Sequence, residues 1–164
     1  MVIAIIADIH DNIINLKKCL GWCAKKSIKK LICCGDITNS RTLNFLAGKF
    51  AGDIYLVKGN IELYNEYEVE KFDNVKYFKE MGEFKLDNKF IGICHQPYSI
   101  NKLLARNKYD IIFYGHTHKP WLEERDNVII VNPGTLAGTF FKATFAVWDT
   151  VAGKIDLIIL DNIR

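Results

Sequence analysis

At 164 residues, 49% hydrophobic and 25% charged, the chain is expected to be a soluble globular protein with one hydrophobic core, a single domain over residues 1–164. Its net charge of +3 comes from scattered lysines such as Lys25, Lys26, Lys29 and Lys30, with no basic stripe, so nucleic-acid binding is not indicated. No apolar run reaches the roughly 18 residues of a membrane span.

The opening run VIAIIAD passes at once into polar residues and reads as a strand, not a signal peptide, so a cytoplasmic location is expected. From Asn12 the pattern turns helical: Ile13, Leu16, Cys19, Leu20 and Cys23 share one face, with Lys17, Lys18, Lys25 and Lys26 off it. KLICC is a second buried strand. Asn39 or Ser40 is placed to cap a helix through Leu43, Leu46 and Ala47, and DIYLV is a third strand. This β-α-β-α-β order predicts a parallel sheet with right-handed crossovers.

Residues 62–71 are acidic and fit a helix or a loop. VKYF, EFKL and FIGIC read as strands, the last two joined by a hairpin at Asp87-Asn88. A short helix is expected from Ser99 to Arg106, then the buried strand YDIIFYG. After His118 the pattern predicts strands only: WLEER, NVIIVN, ATFAVWD and KIDLIIL, with turns at Asp126-Asn127 and near Ala152-Gly153. Two packed sheets with helices outside them are expected. The five cysteines, an odd number without a C-x-x-C pair, read as free thiols serving as small buried hydrophobes.

Polar residues follow each buried strand in a telling order: Asp8-Ile9-His10-Asp11-Asn12, Gly35-Asp36, Gly59-Asn60, His95, and Gly115-His116-Thr117-His118. Loops at the carboxyl ends of such strands form the ligand crevice of open α/β sheets. A lone Asp-x-His or Gly-Asp is usually a surface turn. Five loops together, delivering oxygen and nitrogen donors, point to a cation site, because clustered carboxylates and imidazoles are costly without one. Two divalent metals sharing a bridging carboxylate would also clamp the attacking and leaving oxygens of a phosphate ester.

These motifs resemble the signature of the calcineurin-like metallophosphoesterases. The short chain and its VNPGT segment, residues 131–135, are similar to the small single-domain prokaryotic phosphodiesterase branch. The resemblance implies an α/β fold, a four-layer α/β/β/α sandwich of two mixed sheets flanked by helices. It implies that Asp8, His10 and His118 hold one metal, that Asn60, His95 and His116 hold the other, and that Asp36 bridges them. Asn12 and the NPGT loop would lie near the phosphate or support the site. Asp36, Asn60 and Glu62 are the candidate catalytic residues, with Asn12 and Asn60 as candidate substrate contacts. The expected cofactors are two divalent ions, manganese first, with nickel, zinc, iron and magnesium as alternatives, since nitrogen and oxygen donors do not select one.

The expected activity is hydrolysis of a small phosphate-ester substrate, a phosphodiester, by a metal-bridging hydroxide; self-association of copies is left open. The alternative is a non-catalytic protein-interaction scaffold on the same fold, as in the retromer subunit that this branch resembles. Two departures from the family stand out. Ile61 follows Gly59-Asn60 where many members have a histidine, so Glu62 is the candidate proton source. CHQP puts Gln96 and Pro97 where the branch has Gly and a second His, which bears on substrate contacts.

Overall fold

The computed structural model describes residues 1–163, and the strand pattern of this chain explains its layering. Strand β1 (Val2–Ile6) is followed by helix α1 (Ile13–Lys25), β2 (Lys30–Cys33), α2 (Ser40–Lys49), β3 (Asp53–Leu56), a short α3 (Glu66–Val69) and β4 (Val75–Tyr77). Then come the hairpin β5 (Met81–Leu86) and β6 (Lys89–Cys94), helix α4 (Tyr98–Leu104), β7 (Ile111–Phe113), β8 (Trp121–Arg125), β9 (Val128–Asn132), β10 (Thr144–Asp149) and β11 (Lys154–Ile159). A single 3₁₀ turn, Leu160–Asn162, closes the described chain.

Two mixed sheets result. The first has the order β11-β10-β1-β2-β3-β4, with β1 to β4 parallel and β10 and β11 antiparallel. The second has the order β5-β6-β7-β9-β8, with β6, β7 and β9 parallel and an antiparallel strand at each edge. Side chains alternate across a strand. Ile3, Ile5, Ile32 and Tyr55 therefore face the second sheet, against Ile91, Ile93, Ile111 and Phe113. Ala4, Ile6, Leu31 and Cys33 point the other way, under Leu16, Cys19 and Leu20 of α1 and Leu43 and Leu46 of α2. On the far side of the second sheet, Cys94, Ile112 and Ile130 pack with Ile100 and Leu103 of α4. The molecule is thus an α/β/β/α sandwich. Phe113, fully buried between the sheets, is worth about 3–5 kcal/mol against its alanine variant by the usual cost of such truncations.

The helix starts are chosen by side chains that satisfy free N–H groups. Asn12 Oδ1 accepts from Asn15 N at 3.0 Å, and Asn39 Oδ1 accepts from Arg41 N at 3.0 Å and Thr42 N at 3.3 Å. Asn39, not Ser40, is therefore the cap of α2. Helix α4 is shorter than expected and begins one residue earlier, at Tyr98, because Pro97 (φ −56°) already has helical backbone and needs no N–H there. Asp87 and Asn88 take left-handed conformations (φ 51° and 61°), as a two-residue hairpin turn requires. All five cysteines are free and buried. Among the described residues, no helix is long and apolar enough to cross a membrane.

Candidate metal centre

The carboxyl ends of β1, β2, β3, β6 and β7 lie side by side, and the loops that follow them carry the donors. Asp8, Asp36 and His95 are buried, His10 and His118 are partly buried, and Asn60 and His116 face solvent. The structure brings all seven into one cluster with two sub-groups.

In the first, His10 Nε2 and His118 Nε2 stand 3.0 Å apart, and both face Asp8 Oδ1, at 3.8 and 3.4 Å. In the second, Asn60 Oδ1 lies 2.8 Å from His95 Nε2 and 2.8 Å from His116 Nδ1. Asp36 Oδ2 stands between the sub-groups, 3.4 Å from His95 Nε2 and 3.8 Å from His10 Nε2. One ligand atom from each of Asp8, His10 and His118 falls within 4.8 Å of the others, and the same holds for Asp8, Asp36 and His95.

Hydrogen bonds aim these groups. His95 Nδ1 donates to the Cys34 carbonyl at 2.7 Å, which turns Nε2 toward the cluster. There Nε2 donates to Asn60 Oδ1 when the ring is protonated and offers its lone pair to a cation when the ring is neutral. This donor set fits two divalent cations. Asp8 accepts from His116 N at 3.2 and 3.0 Å, tying the first sub-group to the loop of the second. Asp36 Oδ1 accepts from Ile61 N at 3.2 Å.

Burial sets the electrostatics. It pushes the Asp8 carboxyl up to about 7, against the opposing charge of His95. Burial would raise Asp36 too, but its hydrogen bond with His95 and that residue's charge hold it below the usual carboxylate range. Burial works against charging His95, yet Asp36 outweighs it and raises the imidazole. Burial lowers His10 and His116.

The backbone is strained at the donors. Asp8 (φ 53°), His10 (44°), Asp36 (55°), His116 (70°) and His118 (60°) all occupy the left-handed region. Each such residue costs roughly 1–3 kcal/mol, and strain of this kind collects at functional sites. Glycines allow the close approach. A Cβ on Gly35 would lie 2.7 Å from Gly59 N and 2.9 Å from His95 Nδ1, and a Cβ on Gly59 would overlap Asp36.

Three further side chains hold the loops. Glu62 Oε1 accepts from Ile37 N and Gly59 N, each at 3.1 Å, and Oε2 accepts from Thr38 N at 2.7 Å. Both of its oxygens are thus committed to backbone joining the Asp36 loop to the Asn60 loop. Asn12 Nδ2 donates to Ala137 O at 3.0 Å while Oδ1 caps α1, so both ends of its amide brace the structure. Gln96 Nε2 donates to Asn60 Oδ1 at 3.1 Å. The sequence marks Gln96 only as a departure from the family pattern; its part in orienting Asn60 spans 36 residues and leaves no local signal.

Paired carboxylates and imidazoles at the ends of parallel strands, arranged for two cations, define a metallophosphoesterase-type site. The chain belongs to the calcineurin-like phosphoesterase superfamily, whose domain model matches residues 1–153. It is 25% identical to a phosphodiesterase of Methanocaldococcus jannaschii over 173 residues, covering 98% of this chain and 100% of the relative. A probable metallophosphoesterase of the same organism is 24% identical over 82% of this chain and 68% of its own length. Solved structures share the fold. An archaeal phosphodiesterase superposes with a TM-score of 0.88 (22% identity, 97% of this chain and 99% of that one). An Escherichia coli phosphoesterase gives 0.71 (20% identity, 98% and 100%), and zinc-bound Vps29 of Entamoeba histolytica gives 0.70 (18% identity, 98% and 99%).

Proposed function

We propose that this protein is a metal-dependent phosphodiesterase of one domain, acting on a small phosphate ester. The observation that carries the reading is the convergence of two carboxylates and four imidazoles, with the Asn60 carbonyl, on two adjacent points. Asp8, His10 and His118 hold one divalent cation, Asn60, His95 and His116 the other, and Asp36 reaches both. Manganese is the first candidate among ions that accept nitrogen and oxygen donors. Two such cations would activate water and neutralise charge on a phosphate during in-line displacement.

The chain's own residues do the positioning. Cys34 O and Asp36 fix the His95 ring, Gln96 fixes the Asn60 oxygen, and Glu62 locks the Asp36 and Asn60 loops together. Ile61 is 41% exposed and has no proton to give, so esters with acidic leaving groups, such as aryl diesters, are the better substrates. Five free, buried thiols suit a reducing compartment and support a cytoplasmic location.

A second reading, a protein-interaction scaffold, is favoured by the exposed aromatics Trp121, Phe140 and Phe141. A scaffold has no need of seven competent donors, so the enzyme is preferred. The test is to strip the protein with chelator and restore Mn²⁺, Ni²⁺, Zn²⁺ or Mg²⁺ singly. An aryl phosphodiester is then assayed beside a monoester, with Asp36→Asn and His95→Ala in parallel. Metal-dependent diester turnover that both variants lose is expected. No turnover with any metal would give the case to the scaffold.

A further inference from the structure

Phe140 is 88% exposed, the largest exposure among the big apolar side chains of the described residues. Its ring centroid lies 5.7 Å from that of His118, with the planes tilted by 36°. Its backbone is left-handed (φ 65°), a conformation that bulky residues avoid. Neither core packing nor the local chain explains an aromatic held there, in water and under strain, beside the candidate metal centre.

The two ends of the segment that carries the ring are anchored, on either side of the exposed residues 138–142. Leu136 N donates to Ala7 O at 2.9 Å, Ala137 N donates to Asp8 O at 3.0 Å, and Thr135 Oγ1 donates to the same Asp8 carbonyl at 3.1 Å. Thr144 N donates to Thr135 O at 2.9 Å, so the two ends of the segment are pinned together. Asn12 and Asn15 add bonds to the carbonyls of Leu136 and Ala137. The loop that carries the ring is therefore tied at its base to the strand end that supplies Asp8, and the ring itself meets His118. On the opposite, Asn60 side, the site opens into a cavity of about 180 Å³ between Lys58, Gln96 and Tyr98, so the two arms of a diester have separate surroundings.

We infer that Phe140 is a specificity-determining residue, presenting the face on which a planar ring ester-linked to the substrate's phosphate stacks. The substrate class is a phosphodiester bearing an aryl group or a nucleobase. This rests on the phosphoesterase reading and deepens it. Stacking on an aromatic side chain is worth roughly 5- to 150-fold in affinity per ring.

The test compares diphenylphosphinate with dimethylphosphinate, which cannot be hydrolysed, by calorimetry on the Mn²⁺-loaded protein, its Phe140→Ala variant and its Phe140→Trp variant. The parent is expected to prefer the diphenyl anion, Phe140→Ala to lose roughly 5- to 150-fold of that preference, and Phe140→Trp to restore it. A preference unchanged in Phe140→Ala, or absent from the parent, overturns the inference. Turnover of diesters is measured separately. A preference that responds to Phe140 without any turnover would sink the phosphoesterase reading and leave the ring contact standing.

Discussion

Glu62→Gln separates a brace from a proton donor. In the parent, the carboxylate accepts three backbone N–H groups, from Ile37, Thr38 and Gly59. The amide keeps one acceptor oxygen, for Ile37 and Gly59, and turns its NH₂ toward Thr38 N, which lay 2.7 Å from the lost oxygen. One charge-assisted bond is lost and one N–H is left unpaired, and each effect is worth roughly 1–3 kcal/mol. Partial relaxation makes about 2–4 kcal/mol a fair expectation, which for a chain of this size is a fall of about 5–15 °C in melting temperature. Both loops then shift, and a displacement near 1 Å costs about 10²-fold in rate. A brace acts on every substrate, so aryl and alkyl diesters slow by the same factor. A proton donor would behave otherwise: alkyl esters alone would suffer, by about 10²–10⁴-fold, since aryl leaving groups need no proton. Scanning calorimetry and parallel rate measurements on the two ester types decide it. An unchanged melting temperature together with a loss confined to alkyl esters would refute the reasoning.

Other outcomes follow from single contacts. Gln96→Leu removes the donor that orients Asn60 and is expected to weaken one of two metal-binding steps by about ten-fold while sparing the other, as read by calorimetric titration; equal weakening of both would contradict it. Gly59→Ala forces a Cβ into Asp36 and should leave fewer than two metals per chain by elemental analysis, whereas full loading would show that the close approach is dispensable. Asp110 is depressed by the N–H of Phe90 (2.8 Å) and by Lys89 (3.2 Å). Its stabilising effect is therefore present above the ordinary aspartate range near pH 4 and is lost as pH falls through its lower folded value. The melting-temperature gap between the parent and Asp110→Asn should close on acidification, and a gap that widens would reverse the sign.

Much of this protein is written locally. The unbroken apolar run VIAII, the helical stripe Leu16-Cys19-Leu20-Cys23 and the Asp87-Asn88 turn depend on neighbours a few residues apart, so they are visible before any folding. The candidate donors are legible too, because five buried strands in turn end in Asp, Asn or His, a pattern that no one of them carries alone. What chain order does not contain is pairing across distance. That β10 joins β1 antiparallel, turning a parallel sheet into a mixed one, is decided by the return path of the chain. Five donors adopt left-handed backbone because loops from separate strands must converge on the same points. Glu62 meets Thr38 only once β2 and β3 have paired, and Gln96 meets Asn60 and Phe140 stands beside His118 only once the two sheets have closed. Local contacts reward the chain as it is read, whereas these depend on geometry that exists only after the layers have packed.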